Sequence, residues 1–154
     1  MNDDRARDAL AIAEAALAHA LRDGVTEAEA LVMAEDSALT RFANSEIHQN
    51  VAETNVTINL RVVIGKRVGV ASSGRTDDEG LRRLAASAAA IARVVEELDD
   101  WSGLPGPTKI AAVPAAFSRA TADASPEFRA AAARADRSDP TAACICPVDS
   151  AIRR

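Results

Sequence analysis

Two histidines, His19 and His48, two cysteines, Cys144 and Cys146, and the acidic run Glu96, Glu97, Asp99 and Asp100 are the side chains with the clearest metal-binding chemistry. A zinc centre needs three or four such ligands converging, usually from closely spaced pairs. His19 lies among alanines beside an apolar helical stripe, where a histidine serves as an ordinary helix residue. His48 stands in another segment, and together the two histidines do not make a site. The acidic run follows a helical pattern and reads as its solvated end. Cys144-Ile-Cys146 lacks the Cys-x-x-Cys spacing of redox and metal pairs, and no other cysteine exists for either to pair with. No metal site is expected in this chain. No catalytic residue is expected either. There is no Gly-x-Ser-x-Gly, Walker or dinucleotide fingerprint, and Gly65 and Gly69 flank a strand, where they read as turn and close-packing glycines. So few histidines leave no credible Ser–His–acid set.

The segment 41–49 carries the remaining functional interest. Arg41, Phe42, Asn44, Ser45, Ile47, His48 and Gln49 form a polar stretch with two large apolar side chains embedded in it. A solvent-facing strand edge of this kind accepts an extended peptide, or a partner's strand, by strand addition. The same residues also suit an ordinary edge hairpin whose Phe42 and Ile47 cover the core. Both readings stand at this level.

The elements that position this segment follow from periodicity. Leu10, Ala13, Leu17, Ala20 and Leu21 recur at steps of three and four, predicting a helix from about Asp4 to Asp23 that Gly24 stops. Ala30–Ala34 is a short apolar run suited to a strand, and Leu39–Phe42 and Glu46–His48 could form strands around an Asn44-Ser45 turn. Val56, Ile58, Leu60 and Val62 alternate with Asn55, Thr57, Asn59 and Arg61, the period of a strand with one buried face. Gly65-Lys66 then makes a tight turn into the partner strand Arg67–Ala71. A second helix is predicted from about Asp77 to Glu97, with Thr76 and Glu79 at capping-box spacing and Leu81, Leu84, Ala88, Ile91 and Val95 as its stripe. Leu104-Pro-Gly-Pro107 reads as a linker or turn. Beyond it come a short strand at 110–113 and a helix over 128–135, opened by Ser125-Pro126-Glu127. The pattern fades after Asp136. The expected fold is α+β: an antiparallel meander of about four to five strands, two main helices on one face, and an irregular carboxy-terminal tail.

Composition sets the outer limits. The 154 residues suit one domain plus a tail, and 48% are hydrophobic but only 3% aromatic, so a modest core must come from Leu, Ile and Val among many alanines. A net charge of −5 with eighteen scattered Lys and Arg disfavours direct nucleic-acid binding. No run approaches a membrane span, and the acidic Met1-Asn2-Asp3-Asp4 start is unlike a secretory signal, so no membrane association and a cytoplasmic location are expected.

Three motifs in order resemble one family. Ala38–Val51, reading Arg-Phe-Ala-Asn-Ser-Glu-Ile-His-Gln at its centre, is similar to the R-F-A-N-S-x-I-x-Q region near the start of TldD/PmbA proteins, also known as modulators of DNA gyrase. Arg61–Ser72 resembles that family's glycine-turn hairpin, and Asp77–Leu84 the opening of its second helix. The resemblance runs from about Asp8 to Phe128. It implies an amino-terminal, non-catalytic domain of a cytoplasmic metallopeptidase system that degrades or matures peptides, the domain contributing substrate cavity or partner interface. It also implies pairing with a family paralogue or with itself, and zinc held by a His-Glu-x-x-x-His helix elsewhere in the full-length peptidase branch. This chain lacks that motif, and no cofactor is expected in it. Residues 1–107 are read as the family-like domain, 108–130 as a linker and start of the family's next region, and 131–154 as a tail unlike the family. A truncation or reading-frame change is the expectation for that last part. The alternative is a free-standing interaction or regulatory module that binds a full-length family partner.

Overall fold

The computed structural model describes residues 3–43, 46–106, 108–109, 111, 113 and 116–135. Along the chain come α1 (Asp3–Ala20), β1 (Glu27–Ala43), β2 (Glu46–Ile64), β3 (Arg67–Ser73), α2 (Asp78–Val94), α3 (Arg119–Ala122) and α4 (Pro126–Ala135). The strands form one sheet in the order β1-β2-β3, and β2 pairs with β3 antiparallel. The chain divides into two compact units, Met1–Asp36 with Thr54–Thr108, and Ser37–Glu53 with Lys109–Arg154.

The fold is α+β with an antiparallel meander, as expected, with three strands among the described residues rather than four to five. The runs at 30–34 and 39–42 are parts of one strand, and so are those at 46–48 and 55–62. No glycine or proline interrupts either stretch, and the polar residues between the apolar runs pair across the strands. Thr54 Oγ1 donates to Asp36 at 2.7 Å, and Thr40 Oγ1 to Asn50 at 3.1 Å. Of the short strand expected at 110–113, Ala111 and Val113 lie in irregular backbone, and Ile110 and Ala112 fall outside the described residues. The tail after Asp136 expected to be irregular, with Cys144 and Cys146, also lies outside them.

One register runs through the β1–β2 pair. The facing pairs Glu29–Arg61, Asp36–Thr54 and Thr40–Asn50 are separated by equal steps on both strands, so no extra residue intervenes. Even-numbered side chains therefore share one face. Ile58, Leu60 and Val62 are fully buried there, with Ala28, Ala30 and Val32 of β1 packed against the same cluster. Both α1 and α2 complete that cluster, which places the two helices on one face of the sheet.

The helix contact explains the abundance of alanine. Ala16 and Ala20 of α1 are buried in the same cluster as Ala85, Ala88, Ala89 and Ala92 of α2. Side chains this small let two helices approach closely, at the expense of apolar area. Of the expected stripe of α1, Ala20 is buried in the cluster and Leu17 packs against it, joined by Ile12 and Ala16, whereas Leu10 and Leu21 are exposed.

Two glycines do what their positions require. Gly65 has a φ of 65° and is the first central residue of the two-residue turn between Ile64 and Arg67, the pattern of a type II′ hairpin. Gly69 lies where β3 passes under α2, and a Cβ there would collide with the Ala88 carbonyl oxygen and stand 2.5 Å from the Ala92 nitrogen.

The start of α2 differs from the expected capping box. Asp77, not Thr76, is the N-cap, accepting from the Gly80 amide at 3.3 Å, and the Arg75 guanidinium, bonded at 2.9 and 2.7 Å, holds its carboxyl below the ordinary value. Glu79 turns outward to accept from Arg82 and Arg83, each at 2.7 Å, and these bonds bring its pKa down to about 2. Because the folded value lies below the ordinary 4.5, the stabilisation is complete above about pH 4.5 and is lost as the pH falls towards 2. An NMR titration of the Glu79 carboxyl carbon checks this, the expected midpoint being about 2.

The helix ends at Val94, earlier than expected, and the acidic residues after it belong to a strap. Glu97 pairs with Arg67 at 3.3 Å, the Leu98 amide donates to the Lys66 carbonyl at 3.0 Å, and Lys66 Nζ donates to the Asp99 carbonyl at 2.8 Å. The Glu27 carboxylate, at the start of β1, then accepts from Trp101 Nε1 at 3.4 Å and from the Leu104 amide at 2.5 Å. Glu27→Ala is expected to destabilise this unit by about 1–2 kcal/mol, since charged acceptors make the stronger hydrogen bonds. Fluorescence of Trp101, the only tryptophan, should shift to the red as the strap loosens.

Candidate functional site

The second unit contains the segment that sequence singled out. β3 pairs only with residues 58–64 of β2. Among the described residues, 46–53 therefore have no strand beside them except β1, and residues 37–43 with 46–53 form a two-stranded ribbon. No described strand pairs with either outer edge of that ribbon. Each edge presents a row of main-chain donors and acceptors, which is the physical requirement for strand addition.

The register distributes the expected site residues over two faces. Carrying the Thr40–Asn50 pair two residues further brings Phe42 opposite His48 on the even-numbered face. Arg41 and Gln49 fall opposite each other on the odd-numbered face, which Ile47 shares with Leu39 and Val51. Phe42, Arg41, His48 and Gln49 are exposed and Ile47 is half-buried. Asn44 and Ser45 lie outside the described residues. The five described residues thus belong to one ribbon without converging on one side of it.

Sequence reasoning missed Arg129. The Ser125 hydroxyl accepts from the Phe128 amide at 3.2 Å, the cap expected from Ser125-Pro126-Glu127, and α4 then presents Arg129 to the ribbon. Arg129 donates through Nε to Thr40 Oγ1 and through Nη2 to Asn50 Oδ1, both at 3.3 Å, while Nη1 holds the Ala124 carbonyl at 2.6 Å. The guanidinium thereby ties the helix to a cross-strand pair. Nothing in the local spacing marks Arg129 for this role, because its partners lie 79 and 89 residues away. Arg129→Ala is expected to release α4 from the ribbon with a loss of about 1 kcal/mol or less, as these bonds are long and partly exposed. Faster amide exchange in 126–132 is the readout.

Strand addition to such a ribbon would use its main-chain donors and acceptors, with the side chains of both faces flanking the added strand. His48 is the one histidine in it, and among the described residues no group of three His, Cys, Asp or Glu could hold a metal ion. His19, the other histidine, bonds Asp78 through Nε2 at 2.8 Å and ties α1 to the start of α2. No described helix is long and apolar enough to cross a membrane.

A three-stranded antiparallel meander with two helices on one face defines an α+β domain. Residues 28–92, from β1 to near the end of α2, match the family model described as PmbA/TldA metallopeptidase domain 1, and this stretch is similar to a first domain of that family. TldE from Thermococcus kodakarensis is similar in structure, with a TM-score of 0.58 and 19% sequence identity over 70% of this chain. The chain spans 23% of the length of that protein. No curated protein matches it.

Proposed function

We propose that this chain acts as the amino-terminal, non-catalytic domain of a TldD/PmbA-type metallopeptidase system that degrades or matures peptides. The observation that carries the reading is the ribbon of 37–43 and 46–53 with two open edges. An extended peptide lies along one edge and exchanges main-chain hydrogen bonds with it, so that its alternate side chains face Phe42 and His48 on one side and Arg41, Ile47 and Gln49 on the other. Main-chain pairing of this kind tolerates many sequences, which suits a system that handles unfolded peptides. Zinc and bond cleavage belong to other residues of the assembly, which forms from a family paralogue or a second copy in the cytoplasm.

The purified chain is expected to bind no stoichiometric zinc and to cleave no peptide. Stoichiometric zinc with chelator-sensitive cleavage by the chain alone would overturn this assignment.

A second reading is a free-standing interaction module, supported by the self-contained core of the first unit, in which both helices and the sheet share one buried cluster. On this reading the open ribbon edge pairs with a strand of a full-length family member. Capture of such a member at one-to-one stoichiometry by a monodisperse chain, without effect of added peptide, favours it over the first.

A further inference from the structure

The end of α1 and the neighbouring side of α2 enclose a cleft of about 240 Å3 whose floor is built from alanines of both helices. Three arginines line it, Arg22, Arg82 and Arg93, together with His19 and Asp23. Their electrostatic states differ. Arg82 is spent on Glu79, which it meets through Nε and Nη2 at 2.7 Å each, and His19 faces Asp78. Arg22 donates only Nε, to the Ala18 carbonyl at 3.1 Å, and Arg93 only Nη2, to the Asp23 carbonyl at 3.4 Å. A guanidinium has five N–H donors, so most of those on Arg22 and Arg93 are uncommitted, and a neutral carbonyl leaves their charge uncompensated.

This is unusual within the domain. Arg61, Arg67, Arg75 and Arg83 each face a carboxylate: Glu29, Glu97, Asp77 and Glu79 respectively. Arg22 and Arg93 have no such partner among the described residues, and both line the same cleft of a protein whose net charge is −5. Asp23 is the only carboxylate in the lining. Holding the Ala18 and Asp23 carbonyls takes one donor from each arginine and leaves most of each fork free. Planar guanidinium forks match oxygen pairs of phosphate and carboxylate groups, and the alanine floor leaves room for whatever carries the anion.

We propose that this cleft binds an oxyanion, a phosphate or carboxylate group, held by Arg22 and Arg93. The site is separate from the ribbon and does not depend on the function assigned to it.

The test is an amide NMR titration of the full chain with sodium phosphate and, separately, with triglutamate, each against sodium chloride at matched ionic strength. Saturable shifts confined to residues 18–24 and 82–94 are expected from at least one probe. Saturation by phosphate alone assigns a phosphate group, and saturation by triglutamate alone a carboxylate. The R22Q/R93Q variant should bind about tenfold more weakly or worse, as expected for the loss of charge-assisted bonds. R93Q alone should weaken binding severalfold, and R119Q should leave it unchanged. Shifts reproduced by chloride, no saturation with either probe, or unchanged affinity in folded R93Q would overturn the proposal.

Discussion

Gly69→Val is expected to destabilise the first unit by about 3 kcal/mol or more, at the upper end of what overpacking costs. The reason is that the added atoms meet main chain. A Cβ at this position would collide with the Ala88 carbonyl oxygen and approach the Ala92 nitrogen to 2.5 Å and the Ala92 Cβ to 3.0 Å. Side chains can rotate away from an intruder, but a helix backbone must move as a body. Moving α2 off β3 disturbs Leu81, Leu84 and Ala88 at once, because all three belong to the buried cluster. Urea denaturation of the variant beside the parent measures the loss. A change of less than about 0.5 kcal/mol, the range of ordinary surface substitutions, would show that the helix is not seated on Gly69.

Leu60→Ala is the second large effect, about 2–5 kcal/mol. Leu60 is fully buried at the middle of the core-facing row of β2, between Ile58 and Val62. With so much alanine in the two helices, few large side chains carry the hydrophobic stabilisation, and Leu60 is one of them. Val70→Ala provides the contrast. Val70 pairs with Arg61 on the opposite face and is 48% exposed, so its truncation should change stability by no more than about 0.5 kcal/mol. Equal losses from the two variants would mean that the two faces of the sheet have been wrongly distinguished.

The parts of this fold that sequence made legible are those in which a local pattern has one outcome. Alternation over 55–62 left no choice about the buried face, and Gly65-Lys66 between two strand patterns identified the hairpin. Ser125-Pro126 marked the start of α4 for the same reason. What sequence missed was set by distant partners. Glu27 looks like any strand-opening glutamate until Trp101 and Leu104 come back to it. The real cap of α2 was ambiguous because Thr76 and Asp77 are both good caps, and Arg75 decides between them by engaging Asp77. Leu10 and Leu21 enter the expected α1 stripe because hydrophobicity weights size, whereas close helix contact selects alanines such as Ala16.

The candidate site was legible as a segment and not as an arrangement. Composition of 41–49 suggested an edge with embedded apolar groups, and Phe42 and Ile47 do belong to a ribbon with open edges. Their separation onto opposite faces follows from the register, which the Thr40–Asn50 pair fixes at this end. No spacing within a nine-residue segment contains that information. Nor could it show that Arg129 would brace the same pair from another part of the chain.

Strand addition of an extended chain to the ribbon of 37–43 and 46–53 is open to a hydrogen-exchange experiment. The purified chain is exchanged with and without a saturating mixture of unstructured synthetic octapeptides, and protection is read at each amide. Outward-facing amides along one edge of the ribbon are expected to become protected on adding peptide, while amides of the β2–β3 pair at 58–73 stay unchanged. Unchanged exchange throughout 37–53, or protection confined to other elements, would contradict it.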